Sequence, residues 1–512
     1  MSISIGGRAL NLRDVHEIVF KHSPIHLDSQ AQKQVTENFE FLKAFAKDKV
    51  IYGINTGFGP MAQYKIQESD QIQLQYNLIR SHASGCGDLL PLSCVRAAML
   101  ARLNSMLQAR SGIHPEIPGL LSKLIQHDIL PVMFAHGGVG ASGDLVQLAH
   151  LALCMIGEGE VHYQGGIHPT STIFKLKQLT PSRMYLREGI SMINGTSVMT
   201  GIGLVNLILA KNLLNWSILA SSMINEIVAT YSDHYSAQLN QVKPHNGQQY
   251  IAANMRKLLT GSQMVRHRPQ HLFDKKIEEE IFNDKVQEYY SLRCVPQILG
   301  PIYDTLSYAE QILIDELNSV NDNPIIDQHT QNVYHGGNFH GDYVSLEMDK
   351  VKIAITRLSM LAERQLNYIL NNKLNNKFPP FVNLGKLGLN FGMQGVQFTA
   401  TSTVAENQTF SNPMYVHSIP NNNDNQDIVS MGTNAAVISR KVIENAYEVV
   451  GIELMGLLQA VDYLGIETQL APITQRVYND LRKIVPKFVA DSVKYPAVQA
   501  MKDYLWETQL EL

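Results

Sequence analysis

Cysteine is scarce in this chain: four residues in 512, at Cys86, Cys94, Cys154 and Cys294, with no CxxC pair among them. That spacing offers neither a zinc site nor a disulfide framework, and isolated cysteines in a large chain read as buried thiols. An excess of charge is missing as well. Lys and Arg number 42 against 46 Asp and Glu, giving a formal net charge of −4. Nothing in that balance draws the protein toward nucleic acid or an anionic membrane, so neither is expected as a partner. The first thirteen residues lack a basic segment followed by a long apolar run, so no signal peptide is expected and the cytoplasm is the expected location. The most apolar stretch, 201–230, is broken by Asn206, Lys211, Asn212 and Asn215. A buried bundle helix suits it better than a bilayer span.

What is present suffices for a large core: 45% of residues are hydrophobic and 17% charged. The length exceeds what one core holds, and the pattern divides the chain into a loop-rich region, 1–200, and a helical region, 201–512. In the first, Asp28 and Ser29 are cap residues for a helix carrying Val35, Phe39 and Leu42. An extended run at 50–53 leads into the glycine-rich loop 55–60. A strand at 129–134 precedes the irregular segment 136–143. Next comes a helix burying Leu145, Leu148, Ala152 and Met155, and then a hairpin near 161–166. In the second, long helices are predicted over 201–229, 286–317, 343–370 and 440–464, packed as a bundle. The basic run Arg266-His267-Arg268-Pro269 reads as a solvated loop. The fold class is mainly α, with the chemistry on loops.

The run Gly138-Val139-Gly140-Ala141-Ser142-Gly143 satisfies G-x-G-x-x-G between a strand and a helix, and Glu158 and Glu160 lie where a ribose-binding acid belongs. A dinucleotide site nevertheless needs repeated strand–helix–strand units, and the surrounding chain lacks them. The same residues can support another reaction. In a tight bend the Gly143 nitrogen can attack the Ala141 carbonyl, and loss of two waters leaves a ring bearing a methylidene from Ser142. Glycine gives an unhindered nitrogen, serine the leaving hydroxyl, alanine an accessible carbonyl. A helix starting near Asp144 would turn its positive end toward the ring.

His136-Gly137-Gly138-Val139-Gly140-Ala141-Ser142-Gly143-Asp144-Leu145 resembles the signature of the histidine and aromatic amino acid ammonia-lyase superfamily. Further motifs occur in that family's order. They are Tyr52-Gly53-Ile54-Asn55-Thr56-Gly57-Phe58-Gly59, Ile193-Asn194-Gly195-Thr196, Gln287-Glu288-Tyr289-Tyr290-Ser291-Leu292-Arg293, Asn321-Asp322-Asn323-Pro324, Gly337-Asn338-Phe339-His340-Gly341 and Asn425-Gln426-Asp427. The resemblance implies a histidine ammonia-lyase-like fold and a methylidene-imidazolone formed from Ala141, Ser142 and Gly143, with no metal and no nucleotide. It implies Tyr52 as the base at the substrate β-carbon and Asn194 as the partner of the imidazolone oxygen. Arg293 would bind the substrate carboxylate. Gln287 and Tyr290 would hydrogen-bond the cofactor and substrate, Phe339 would stack near the ring, and Gly59 would lie against the substrate. Each alone has a plainer reading: a packed tyrosine, an Asn-Gly turn, a structural arginine, a core aromatic. Tyr289 stands where the family carries proline. His335 and His340 have no further ligand beside them, so no metal is assigned. A homotetramer with sites shared between subunits is also implied.

Substrate choice rests on two further places. Ser81-His82 resembles the histidine lyases, whereas Gln426 stands where those enzymes carry glutamate, and Asn425-Gln426-Asp427 resembles the tyrosine and phenylalanine enzymes and related aminomutases. The segments NTGFGPMAQY at 55–64, QIQLQYNLIRSH at 71–82 and HSIPNNNDNQDIVSM at 417–431 look like tyrosine ammonia-lyases of flavobacterial type. His82 can hydrogen-bond a phenolic hydroxyl, and Gln426 is neutral where an imidazole would want a carboxylate. The expectation is conversion of L-tyrosine to trans-p-coumarate and ammonia. Histidine ammonia-lyase and tyrosine 2,3-aminomutase are the alternatives, with phenylalanine preference behind them.

Overall fold

Apolar residues recurring every three or four positions carry most of the chain into helix, as the pattern requires. The computed structural model describes residues 2–47, 49–273, 280–282 and 285–512. It divides into two compact units. Unit 1 comprises Met1–Ile208, Ala309–Asp349 and Pro413–Ser439, and unit 2 comprises Leu209–Tyr308, Lys350–Asn412 and Arg440–Leu512. The first crossing falls between Ile208 and Leu209. Unit 1, however, also takes two later segments. Four of the crossings fall inside the long helices Ser197–Ile227, Val295–Leu317, Asp342–Leu370 and Gly432–Leu464. A division at one point of the sequence assumes contiguous units, and helices this long carry the chain out of one unit and into the other.

In unit 1 the helix Ser29–Phe45 starts where expected, with the Asp28 carboxylate accepting the Ala31 N–H at 2.9 Å and Val35, Phe39 and Leu42 buried. The expected extended run at 50–53 is a turn instead: Ile54 N–H reaches Ile51 O at 3.1 Å, and Gly53 takes φ +77°. The cause is Asn55, whose side-chain oxygen accepts the Ile51 N–H at 2.9 Å and bends the chain back. The hairpin is present as Glu160–Tyr163 paired antiparallel with Gly166–Pro169. Leu130–Pro131 joins it to make the largest sheet among the described residues, of three strands. The one parallel pair among them is Ile3–Ile5 with Ile25–Leu27. Among the described residues the G-x-G-x-x-G run stands beside no doubly wound parallel sheet, the fold in which that run binds dinucleotides. Helices Gln71–His82, Leu145–Met155 and Glu188–Ile193 pack on one another and present the site.

Unit 2 holds Asn246–Leu258, Pro472–Ile484 and Tyr495–Glu507 beside its parts of the long helices. Asn212, a polar residue in the apolar helix Ser197–Ile227, is paired inside unit 2, where its Nδ2 donates to Tyr447 Oη at 3.1 Å and Leu505 O at 3.0 Å. That helix is long and apolar enough to cross a bilayer, yet 94% of its most apolar window is buried inside the protein, as a core helix requires. The helix predicted over 286–317 is split into Tyr290–Arg293 and Val295–Leu317. Arg268, expected in a solvated loop, pairs with Asp233 and lies 4.3 Å from the Tyr231 ring centre, so that stretch is tied down.

Candidate active site

The tripeptide Ala141-Ser142-Gly143 sits in a turn fixed by chain segments hundreds of residues away. Gly140 O accepts the Gly341 N–H at 3.0 Å and the Ser430 hydroxyl at 3.0 Å, while Val139 O accepts the Met431 N–H at 2.9 Å. Across the bend, Gly140 N–H donates to Gly143 O at 3.2 Å. Gly143 is at φ +74°, and a Cβ there would lie 2.0 Å from Gly195 O, so only glycine permits this approach of two backbones. Asp144 follows, fully buried. Its carboxylate accepts the Val198 and Met199 N–H groups at 2.8 Å each and the Thr433 hydroxyl. Burial, opposed by those donors, pushes its pKa up to about 6. One side chain thus ties the start of helix Leu145–Met155 to the first turn of helix Ser197–Ile227.

Both oxygens of Ser142 have donors. Asn194 Nδ2 donates to Ser142 O at 3.0 Å, with the Gly195 N–H at 3.4 Å, and Gln426 Nε2 donates to Ser142 Oγ at 2.7 Å. Donors on that carbonyl oxygen, a bend closed by a hydrogen bond and a glycine at the attacking position fit a methylidene-imidazolone formed in place.

Ser142 opens on a cavity of about 510 Å³. Of the residues singled out from sequence, Tyr52, Gly59, Ser81, His82, Asn194, Phe339, Asn425 and Gln426 line it too. The Tyr52 oxygen accepts the Gly59 N–H at 3.0 Å, and its ring meets Phe58 edge-on at 5.8 Å. His82 Nδ1 lies 2.9 Å from Leu78 O. Nδ1 also lies 3.0 Å from the Ser81 hydroxyl, and in the tautomer that donates to the carbonyl Nε2 is an acceptor. The Ser81 hydroxyl also donates to Leu78 O, at 3.1 Å.

Sequence reasoning missed Leu74, Asn77 and Leu78 on the cavity wall. With Ser81 they recur at helical spacing along Gln71–His82, a stripe that was open to a periodicity search. Asn323 was noted for its motif and not as a wall residue. Also missed was the buried support. Arg102 donates to Asn194 O at 2.8 Å and to Ser191 O, satisfying carbonyls at the end of helix Glu188–Ile193. Arg187 donates to Ser111 O and to Asn323 O at 2.8 Å. Asp322 lies buried with both arginines; burial raises its pKa and the two cations oppose the rise.

Gln287, Tyr290 and Arg293 belong to unit 2 and are not among the described residues lining the cavity. Gln287 is exposed, and the Arg293 guanidinium lies 4.8 Å from the Tyr290 ring centre. The short helix Tyr290–Arg293 is held by Gln365 Nε2 on Ser291 O at 2.8 Å and Asn225 Nδ2 on Leu292 O at 3.3 Å. Among the described residues no group of three His, Cys, Asp or Glu could hold a metal ion.

Comparison with known proteins agrees with this geometry. Residues 10–483 match the family model described as aromatic amino acid lyase. A tyrosine 2,3-aminomutase of Chondromyces crocatus is 36% identical over 510 residues, covering 98% of this chain and 96% of that one. A histidine ammonia-lyase of Geobacillus thermodenitrificans is 35% identical over 504 residues, covering 98% and 97%. The crystal structure of a tyrosine aminomutase from Streptomyces globisporus superposes with a TM-score of 0.95 at 33% identity, covering 99% of this chain and 97% of that one.

Proposed function

The chain belongs to the aromatic amino acid lyase family, and we propose that within it the protein eliminates ammonia from L-tyrosine to give trans-p-coumarate. The observation that carries this reading is the meeting of Ser142, Asn194 and Tyr52 with His82 and Gln426 around one cavity. The methylidene-imidazolone of Ala141-Ser142-Gly143 supplies the electrophile that turns the substrate amine into a leaving group. The chain's own groups do the rest. Asn194 Nδ2 and the Gly195 N–H donate to the Ser142 carbonyl oxygen, where negative charge would gather. Tyr52, its oxygen held by the Gly59 N–H, takes the proton from the β-carbon. Nε2 of His82 accepts the phenolic O–H of tyrosine, and the neutral Gln426 lines the same cavity where an imidazole substrate would want a carboxylate. Phe339 packs on the substrate ring. Arg293 pairs with the substrate carboxylate, Gln287 and Tyr290 hydrogen-bond the cofactor and substrate, and a homotetramer completes each site from neighbouring subunits.

Tyrosine 2,3-aminomutase is the second reading, favoured by the names of the relatives from Chondromyces crocatus and Streptomyces globisporus. Purified protein incubated with tyrosine, phenylalanine and histidine separates the three outcomes. Trans-p-coumarate is expected as the main early product. β-Tyrosine on chiral chromatography would reassign the protein as a mutase, and urocanate with negligible p-coumarate would make it a histidine enzyme. Intact mass should fall below the encoded chain by two waters, about 36 Da. His82→Phe should cost tyrosine turnover about 1–3 kcal/mol in kcat/KM and favour phenylalanine.

A further inference from the structure

We propose that Gln426 is a positioning residue for the maturation of the tripeptide, holding the hydroxyl that Ser142 must lose. This rests on the cofactor assigned above and assigns the residue a role before any substrate arrives. Its amide Nε2 donates to Ser142 Oγ at 2.7 Å, while the other Ser142 oxygen, the carbonyl, is taken by Asn194. Two donors thus divide the two oxygens, and Gln426 holds the one that leaves.

The covalent balance shows why a donor matters there. The Gly143 nitrogen bonds to the Ala141 carbonyl carbon, and that oxygen departs as water with the amide hydrogens of Gly143 and Ser142. Ser142 then loses its Cα proton and its Cβ–Oγ bond breaks, the oxygen leaving as a second water. No oxidant or reductant is needed. Hydroxide is a poor leaving group, and an N–H on the departing oxygen disperses the charge that grows there. It also orients Oγ within the bend.

The loop that carries Gln426 is built to keep it still. Asn421 and Gln426 exchange both backbone hydrogen bonds, at 3.1 and 3.3 Å. Between them Asn422, Asn423 and Asp424 all take left-handed φ, at 56°, 52° and 57°. Asn and Asp tolerate that region better than other side-chain-bearing residues, so the run Asn-Asn-Asp suits this hairpin. The Asn422 side chain closes on Gly59, where a Cβ would lie 2.9 Å from its Nδ2. Once the hydroxyl has gone, the Gln426 amide remains on the cavity wall as a donor for substrate.

Mass spectrometry of the tripeptide-containing peptide reads this independently of turnover. Wild type should be fully dehydrated. Gln426→Leu should hold mostly the encoded mass or a species one water lighter, maturing at least about tenfold more slowly after synthesis. Gln426→Lys, which restores an N–H donor of similar reach, should recover the dehydrated mass. Gln426→Met, unbranched and also without a donor, gives the same comparison if the leucine variant does not fold by circular dichroism. A folded leucine or methionine variant dehydrated at the wild-type rate would overturn the proposal, and so would a lysine variant as slow as leucine. An undehydrated wild type would instead strike the cofactor itself.

Discussion

In unit 1 the tripeptide, Tyr52, Asn194 and Gln426 stand on backbone outside the helices and strands, with His82 at the end of helix Gln71–His82, whereas in unit 2 most residues stand on helices. The turn at 140–143 is held by hydrogen bonds from Gly341, Ser430 and Met431, and Gln426 by a hairpin with three left-handed residues. Apolar burial alone cannot fix a backbone to a fraction of an ångström; directional bonds from several segments can. Unit 2 solves a simpler problem. Its stability comes from buried apolar helix faces, with occasional polar residues such as Asn212 satisfied inside. Substitutions in the first should therefore fall on chemistry and in the second on stability.

The largest effect is expected for Tyr52→Phe. Removing a general base should lower kcat by about 10²–10⁴ with the melting temperature little changed. Steady-state kinetics with tyrosine check this, and loss through unfolding would erase the distinction drawn between the units. Asn194→Ala, which removes the donor on Ser142 O, should cost about 10²–10³ in kcat, as single donors of this kind do. An equal loss in KM and none in kcat would place Asn194 in binding instead.

The pH dependence of stability sharpens the comparison at Asp144. Its folded pKa, about 6, stands above the unfolded carboxylate value, so the folded state binds the extra proton between about pH 4 and 6. The contribution is fully present below that window and is lost as pH rises through about 6, on the order of 3 kcal/mol. Denaturant titrations of wild type and Asp144→Asn across pH 4–7 should diverge with that slope. Parallel curves would mean that the donors from Val198, Met199 and Thr433 already offset the burial. The smallest effect belongs to unit 2. Tyr447→Phe removes a buried hydroxyl that donates to Leu209 O at 2.8 Å and accepts from Asn212. It should cost about 1–2 kcal/mol in stability and leave kcat/KM unchanged.

The long helices, the cap at Asp28 and the hairpin at 160–169 were legible in the sequence, because periodicity and capping are local signals. Their limits were less so. Helix Gly432–Leu464 begins at Gly432 and not at Arg440. Its first turn carries Thr433, whose hydroxyl donates to the buried Asp144 carboxylate. Tyr52, Ser142, Asn194 and Gln426 were singled out by motif, and the cavity brings them together. By itself the sequence determined the residue types that the chemistry needs and the helices that bury the core. Only the tertiary structure decided how Gly140 is clamped, where His82 Nδ1 is held and which oxygen of Ser142 meets Gln426. The physical reason is that a hydrogen bond depends on distance and direction between atoms, and residues 284 positions apart leave no local pattern to announce one.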